Sequence, residues 1–263
     1  MKKSILIIVG GIIMIAIIAI LILIAPKETI PEDDSFVKIK DKEIIKIGTG
    51  GEAPPHSYYN EDDELTGYDI ELIKEIMKRL DIGIEFIIIP WTEIFNDMKA
   101  GKVDVIIDGI TITPERSQEM LFSDSYFLTG QALIVKKENT DIISAEDLDD
   151  KKVGTQIGTT SAKEAMKYAS NIKFITYEGT LTAIEDLRKN TIDAAITDFG
   201  VANKIIKEND DLKIIGDLLS KEHYGIVTQK NNIALIDEIN EVLQEIKDDG
   251  TLDKLETKWF SQI

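Results

Sequence analysis

The stretch DVIIDGITITPER, residues 104–116, joins an apolar strand to a short polar helix and decides the fold class. The apolar run ends at Asp108-Gly109. A hydroxyl-rich turn follows, and Pro114 then suits the first helical turn, where a backbone N–H has no partner. Arg116 comes next, and its guanidinium matches a carboxylate two bonds at a time. Ligands of open α/β sheets sit outside the carboxyl ends of strands, where this turn would lie. Two interpretations fit this pattern equally well: a binding site for a carboxylate, and an ordinary strand-to-helix turn that leaves Arg116 on a solvated face.

Outward from this stretch, strand and helix patterns alternate from residue 43 onward, which predicts α/β architecture. A first β-α-β-α-β set ends with the strand at 103–107. An extended segment at 131–137 separates it from a second set. Another extended segment, at 223–228, follows the second set and leads into a closing helix at 232–248. The second set has strands at 152–156, 172–177, 192–197 and 212–215 and helices at 159–168 and 181–189. Two similar sets joined by two segments predict two lobes with a double crossover, a hinge and a cleft between them.

The expected organisation is a two-lobed α/β fold preceded by a transmembrane helix. Lobe 1 is expected at residues 43–131 and 225–263, and lobe 2 at residues 132–224. Lys2 and Lys3 precede an uncharged apolar run at 5–25, which would span about 32 Å as a helix. We expect residues 1–26 to be an uncleaved signal anchor; a cleaved signal peptide is the alternative, with a usually shorter apolar region.

The charges around this apolar run predict the side of the membrane on which the body lies. Lysines precede the run and acidic residues follow it, which places the body outside the cytoplasm. Residues 27–42, which follow Pro26 and contain Pro31 and alternating charge, are expected to form a polar linker.

Composition excludes several classes of function. The 263 residues carry a net charge of −18, so a nucleic-acid partner is not expected. There is no Cys, which excludes disulfides and thiol chemistry, and two His cannot form a His-rich metal site. No phosphate-binding G-x-x-x-x-G-K-[ST] motif occurs, so any ATPase is on another chain. We expect no cofactor and no metal.

Two further side chains stand at strand ends and complete a set that suits one zwitterion. Trp91 follows the strand at 84–89, and it is either a core residue or a flat face for a ligand. Asp198 ends the strand at 192–197, and it is either the N-cap of the next helix or a partner for an ammonium group. With Arg116 for a carboxylate, the three would hold an amino acid. Glu52 and His56, in the loop after the first strand, are expected to be solvated.

The chain resembles the amino-acid-binding periplasmic solute-binding proteins that serve ABC importers. The resemblance covers residue 43 to the C-terminus, and its strength lies in the order of many short motifs. They are IGT at 47–49, PP at 54–55, LTGYDI at 65–70, GKVD at 101–104, GITITPER at 109–116, FSDSYF at 122–127, GTT at 158–160, YGI at 224–226, DGTLDKL at 249–255 and KWF at 258–260.

The resemblance implies a two-lobed fold that closes on its ligand and assigns the site. In the family, the position of Arg116 holds the α-carboxylate, helped by the positions of Thr111 and Thr160. The position of Asp198, with the backbone at Gly109, takes the α-amino group. The position of Trp91 carries an aromatic that covers the ligand side chain.

Departures from the family pattern concern the pocket for the ligand side chain. Family members often have aromatics beside the Pro-Pro pair, where this chain has Ala53 and His56, so a second stacking wall is expected to be missing. Several relatives for basic or amide amino acids carry an acidic residue at the position of Gly50. Other polar groups are available for the side chain of a polar or cationic amino acid: Glu52, Asp108 and Gln156.

The expected function is capture of an amino acid outside the cell for a permease, with its ATPase, on other chains. The protein is expected to be a membrane-tethered monomer and not an enzyme. Two alternatives stay open. One is a sensor subunit that signals through a partner. The other is an enzyme similar to cyclohexadienyl dehydratases, in which Glu52 would be a general acid if it were buried.

Overall fold

The computed structural model describes residues 33–261, and its first sheet is built mainly from the N-terminal β/α units. The strand order is β5-β1-β6-β15-β7. Strand β1 pairs in parallel with β5 and β6, whereas β15 pairs antiparallel with β6 and β7. The bounds are β1 Ile44–Thr49, β5 Gly83–Ile88, β6 Val105–Ile106, β7 Met120–Phe122 and β15 Val227–Gln229. The chain therefore returns to the first sheet after it has built the second.

Amphipathic helices cover this sheet and form lobe 1. Helix α2, Tyr68–Leu80, buries one apolar face, as does helix α8, Ile233–Asp248, and the two pack with the sheet in one core. A small three-stranded sheet flanks them. The helices are α1 Ser35–Lys42, α2 Tyr68–Leu80, α3 Trp91–Lys99, α4 Pro114–Glu119, α8 Ile233–Asp248 and α9 Thr251–Phe260; the small strands are β2 Glu52–Ala53, β3 Ser57–Tyr59 and β4 Leu65–Thr66.

The second sheet, with strand order β11-β10-β12-β9-β13, is the centre of lobe 2. Strands β10, β11 and β12 are parallel, and β9 pairs antiparallel with β12 and β13. The strands are β9 Gln131–Lys136, β10 Lys152–Gln156, β11 Lys173–Tyr177, β12 Ala194–Asp198 and β13 Leu212–Ile215; the helices are α5 Ser161–Ala165, α6 Thr180–Arg188 and α7 Phe199–Glu208, with a 3₁₀ turn at Ala145–Leu148. The predicted two-lobed α/β fold is confirmed.

The chain crosses between the sheets on two paired strands. These are β8, Phe127–Thr129, and β14, Glu222–Tyr224, which are antiparallel. Just beyond β8, a Cβ on Gly130 would lie 2.1 Å from the carbonyl oxygen of Ser220. The two crossings thus approach to backbone contact, and they are the hinge of the molecule.

The linker expected at residues 27–42 is wrong over its C-terminal part, because Ser35–Lys42 is helix α1. Ile39 is buried and Phe36 packs against the lobe 1 core. Asp33 accepts a 2.6 Å hydrogen bond from the N–H of Ala234, which holds the start of this segment against α8. The alternating charges drew attention away from Phe36 and Ile39, which are three residues apart and therefore lie on one face of a helix.

Two other expectations concern the bounds of helix α5 and the N-terminal transmembrane helix. Helix α5 stops at Ala165 instead of Tyr168, because the N–H groups of Lys167 and Tyr168 bond carbonyls three residues back, in tighter turns. The transmembrane helix expected at residues 1–26 lies outside the described residues. Over residues 33–261, no helix has both the length and the apolar character needed to cross a membrane.

Gly130→Ala is expected to lower the free energy of unfolding by about 2–3 kcal/mol, because the added methyl group must push two backbones apart. Urea unfolding followed by circular dichroism measures this. Gly179→Ala is the matched control: its backbone is extended, and a Cβ there meets nothing nearer than an atom 4.0 Å away. Equal losses in the two variants would show that the crossings are not in contact.

Candidate functional site

Arg116 lies where the two lobes meet. Its Nη1 donates a 2.8 Å hydrogen bond to the carbonyl oxygen of Thr111 in lobe 1, and its Nη2 donates a 3.1 Å bond to that of Gly158 in lobe 2. The guanidinium also lies over the rings of Trp91 and Phe95, 5.6 and 4.9 Å from their centroids. Arg116 is therefore not a side chain on a solvated face, and its guanidinium is held between the two lobes.

Asp198 ends β12 on the opposite lobe, and its charge acts on Arg116. It stands at the N-cap position of α7, but its side chain makes no capping bond. Its Oδ1 instead accepts hydrogen bonds from the Tyr224 hydroxyl and from Gln131 Nε2. Desolvation raises the pKa of Asp198 to about 6, and the nearby Glu222 charge adds to the rise. Burial lowers the pKa of Arg116, and the Asp198 and Glu222 charges oppose that change. The interpretation of Asp198 as a helix cap is thus not supported.

Glu222, which the sequence analysis missed, joins this group from crossing strand β14. It is 5% exposed. Its Oε2 accepts hydrogen bonds of 2.6 Å from the Thr111 hydroxyl and 3.3 Å from Gln131 Nε2, and its Oε1 accepts bonds of 2.9 Å from the Thr160 hydroxyl and 2.8 Å from Ser220. Strand alternation was the available signal, because it places Glu222 on the same face as Tyr224.

Thr111, Thr160 and Gly109 lie at the site, but their polar groups have partners within the protein. The two hydroxyls both bond Glu222. The Gly109 N–H donates a 2.6 Å bond to Asp69 Oδ2. Gly109 has a φ of +59°, and a Cβ there would lie 3.2 Å from the Tyr224 ring, so a glycine suits this turn.

Trp91 packs against a hydrophobic core of lobe 1 and also reaches lobe 2. It is the first residue of α3 and is half-buried. Its Nε1 donates a 2.9 Å hydrogen bond to the carbonyl oxygen of Ile157 in lobe 2. Its ring packs edge-on against Phe95, which holds the plane beside Arg116. Trp91 therefore contributes a wall to the interlobe space.

Glu52 and Gln156 approach one turn of lobe 2 from different sides. Gln156 donates a 2.9 Å bond to the carbonyl oxygen of Glu178 and accepts a 3.3 Å bond from the Thr180 hydroxyl. Glu52 is exposed, and its Oε2 lies 4.0 Å from the Cβ position of Gly179. Both side chains are thus at the rim, and Glu52 lacks the burial that a general acid would need.

Asp108 and His56 are buried beneath the site. Asp108 Oδ1 accepts a 3.0 Å bond from the Thr49 hydroxyl, and burial raises the pKa of Asp108 to about 6. A Cβ on Gly50 would lie 2.7 Å from its Oδ2. His56 is 1% exposed, so the prediction of a solvated loop residue is wrong: its Nδ1 is 3.2 Å from Asp69 Oδ1, and aromatic rings surround it. Over residues 33–261, no group of three or more His, Asp or Glu side chains is arranged to hold a metal.

Comparison with known proteins agrees with this geometry. The model of a family described as bacterial extracellular solute-binding proteins, family 3, matches residues 45–262. The L-cystine-binding protein TcyJ of Escherichia coli (strain K12) is 32% identical over 225 residues, which cover 85% of each chain. The arginine-binding extracellular protein ArtP of Bacillus subtilis (strain 168) is 31% identical, over 84% of this chain and 87% of ArtP.

A solved structure, the P235GK mutant of ArgBP from T. maritima, superimposes with a TM-score of 0.81 at 35% identity. The match covers 86% of this chain and 99% of that one. These three relatives are binding proteins and not enzymes.

Asp198→Asn is expected to stabilise the protein at neutral pH. The pKa of Asp198 is raised from 3.8 to about 6 in the folded protein. Between these two pH values the folded state therefore binds more protons than the unfolded state, and the free energy of unfolding falls as the pH rises. An amide cannot ionise and avoids this loss. At about 1.4 kcal/mol per pKa unit, the gain at pH 7 is up to about 3 kcal/mol, and it vanishes below pH 4.

Urea unfolding of both proteins at pH 4 and pH 7 measures this difference. Asp211→Asn is the control, because that exposed carboxylate pairs with Arg188, which lowers its pKa, and its loss should give no gain at pH 7. A pH dependence for Asp198→Asn that matches the parent protein would contradict the assigned burial of this charge.

Proposed function

The chain belongs to the bacterial extracellular solute-binding proteins of family 3, and from this premise we propose that it captures an amino acid between its lobes for an ABC permease. One observation carries the proposal: Arg116 of lobe 1 and Asp198 of lobe 2 direct opposite charges into the same interlobe space. The carboxylate and ammonium of an amino acid are the complementary pair, held on one carbon.

Each end of the ligand has its own partners in this proposal. Arg116 binds the α-carboxylate, with Thr111 and Thr160 beside it. Asp198 and the backbone of Gly109 bind the α-amino group. The half-buried ring of Trp91 covers the aliphatic part, and its bond to lobe 2 supports a role that depends on closure.

Contacts across the lobes support a closing mechanism. Trp91 bonds Ile157, and Arg116 bonds Gly158, in both cases from lobe 1 to lobe 2. A ligand that contacts both lobes adds bonds only in the closed form, and its differential affinity then shifts the equilibrium toward closure. The closed form is the one that the permease would receive.

The charge balance around the site supports a cationic amino acid, or a polar one, as ligand. The charges of two carboxylates, those of partly buried Asp198 and buried Glu222, act on one guanidinium, that of Arg116. In a medium of low dielectric constant this acidic excess favours a ligand that brings more positive than negative charge. ArtP, described as arginine-binding, is consistent with that class. The ligand's side chain would extend toward Glu52 and Gln156 at the rim.

The wider organisation follows the same proposal. We propose that residues 1–26 tether the protein to the membrane and that it acts as a monomer. We also propose that lobe 1 comprises residues 43–131 and 225–263 and lobe 2 residues 132–224. The binding-protein character of the relatives favours delivery to a permease over a sensor subunit or a dehydratase.

Arg116→Ala is expected to weaken amino-acid binding at least tenfold, because a charge-assisted hydrogen bond contributes about 1.5–3 kcal/mol. Isothermal titration of residues 33–263, refolded to remove carried-over ligand, against the twenty amino acids measures this. Arg188→Ala is the matched control, since Arg188 pairs with Asp211 on the surface of lobe 2. An Arg116→Ala protein that binds as well as the parent would refute the site.

Among the twenty amino acids, arginine or lysine is expected to bind more tightly than glutamate by at least about 100-fold. The acidic groups around Arg116 attract a second positive charge and repel a second carboxylate. Competition titrations at low and high salt measure the ratio. A preference for glutamate or aspartate would contradict the cationic class while leaving amino-acid binding intact.

A further inference from the structure

Glu222 is the side chain on which hydroxyl groups from both lobes meet. Thr111 follows β6 in lobe 1, and Thr160 precedes α5 in lobe 2. Their hydroxyl oxygens lie 2.6 and 2.9 Å from the two oxygens of one carboxylate. Because Glu222 itself lies on a crossing strand, a single charged group connects lobe 1, lobe 2 and the hinge.

The donors on this carboxylate differ in what opening would do to them. Ser220 and Gln131 belong to the crossings and the strand that follows, and they bond Glu222 at 2.8 and 3.3 Å. Both lie on the lobe 2 side of Glu222, because Gln131 is the first residue of β9 and Ser220 comes just before β14. Thr111 and Thr160 belong to the bodies of separate lobes, so separation of the lobes must break at least one of their bonds. A hydrogen bond to an ionised acceptor is stronger than a neutral one, so closure gains from this carboxylate.

We propose that Glu222 is an interlobe latch, which stabilises the closed form by binding Thr111 and Thr160 at the same time. The latch acts whether or not an amino acid is present, because all of its parts belong to the chain. It also commits the hydroxyl protons of both threonines to Glu222.

The latch sets how much closed protein exists before any ligand binds. Apparent affinity scales with the fraction of protein in the binding-competent form. The latch rests on the proposed function only in this last step. The closed fraction itself is a property of the chain, and it is measured without added ligand.

The absence of Cys lets two labels be placed without background. Asp62→Cys in lobe 1 and Thr182→Cys in lobe 2 are exposed positions for spin labels. Double electron–electron resonance on the spin-labelled, refolded protein, with no amino acid added, then gives the distribution of interlobe distances. Thr160→Val removes the lobe 2 hydroxyl donor with little change in side-chain shape, and Glu222→Gln removes the negative charge of the Glu222 carboxylate.

Both variants are expected to shift the distribution to longer distances than the parent. The double variant should open no further than the more open single variant, because the two changes break the same interaction. Glu115→Gln is the matched control: Glu115 of lobe 1 forms an ion pair with Lys163 of lobe 2, at 2.6 Å, but both side chains are exposed. Exposed pairs contribute little, so this variant should keep the parent distribution.

Distributions for Thr160→Val and Glu222→Gln that match the parent would overturn the latch. A shift in Glu115→Gln as large as theirs, or additive opening in the double variant, would overturn it as well. A parent protein without bound amino acid that is already as open as the variants would do the same. If the latch is present but no amino acid binds, the distances still change, so failure of the proposed function is seen separately in the titrations.

Discussion

Carboxylates withdrawn from water between two lobes must find hydrogen-bond donors there, and this requirement connects the site to the hinge. Asp198 and Glu222 share the amide of Gln131, and each takes further donors from a different part of the chain. The Tyr224 hydroxyl, on one crossing strand, donates a hydrogen bond to Asp198, and the hydroxyls of Thr111 and Thr160, one in each lobe, donate hydrogen bonds to Glu222. An ionised group left without donors in such a place is strongly destabilising. The position of the lobes is therefore coupled to the satisfaction of these two side chains.

The same acidic groups give the closed protein an electrostatic cost that a ligand can relieve. The pKa values of Asp108 and Asp198 rise to about 6, so at neutral pH both are ionised against the tendency of their surroundings. One guanidinium, on Arg116, does not balance them. A cationic ligand group placed in the cleft would lower this cost, and binding would then stabilise the folded chain as well as the closed form. The site trades stability for affinity, as functional sites often do.

The fold was predictable from local pattern to a large extent, and the site was predictable in part. Strand β10 and helix α8 follow from periodicity, because burial on one face leaves a local record in the sequence. Trp91 and Asp198 stand where strands lead into helices, and Arg116 lies in the first turn of the helix that follows β6. Ligands of open α/β sheets bind at such strand ends. Glu222 has no such marker beyond its alternation with Tyr224, because two of its donors, Thr111 and Thr160, are 111 and 62 positions away. Helix α1 was missed because only two apolar residues mark the face that packs on lobe 1.

Selectivity and closure are carried by different side chains in this arrangement. Arg116 already bonds a carbonyl oxygen in each lobe, so a ligand carboxylate would replace neutral acceptors with a charged one and strengthen bonds that exist. That gain depends on the chemistry of the ligand. The bonds of Glu222 to Thr111 and Thr160 are internal, and they favour closure without regard to what lies in the cleft. In the proposed arrangement, a change at Arg116 or Asp198 would therefore alter which molecule is bound, whereas a change at Glu222 would alter how readily the lobes close on any molecule.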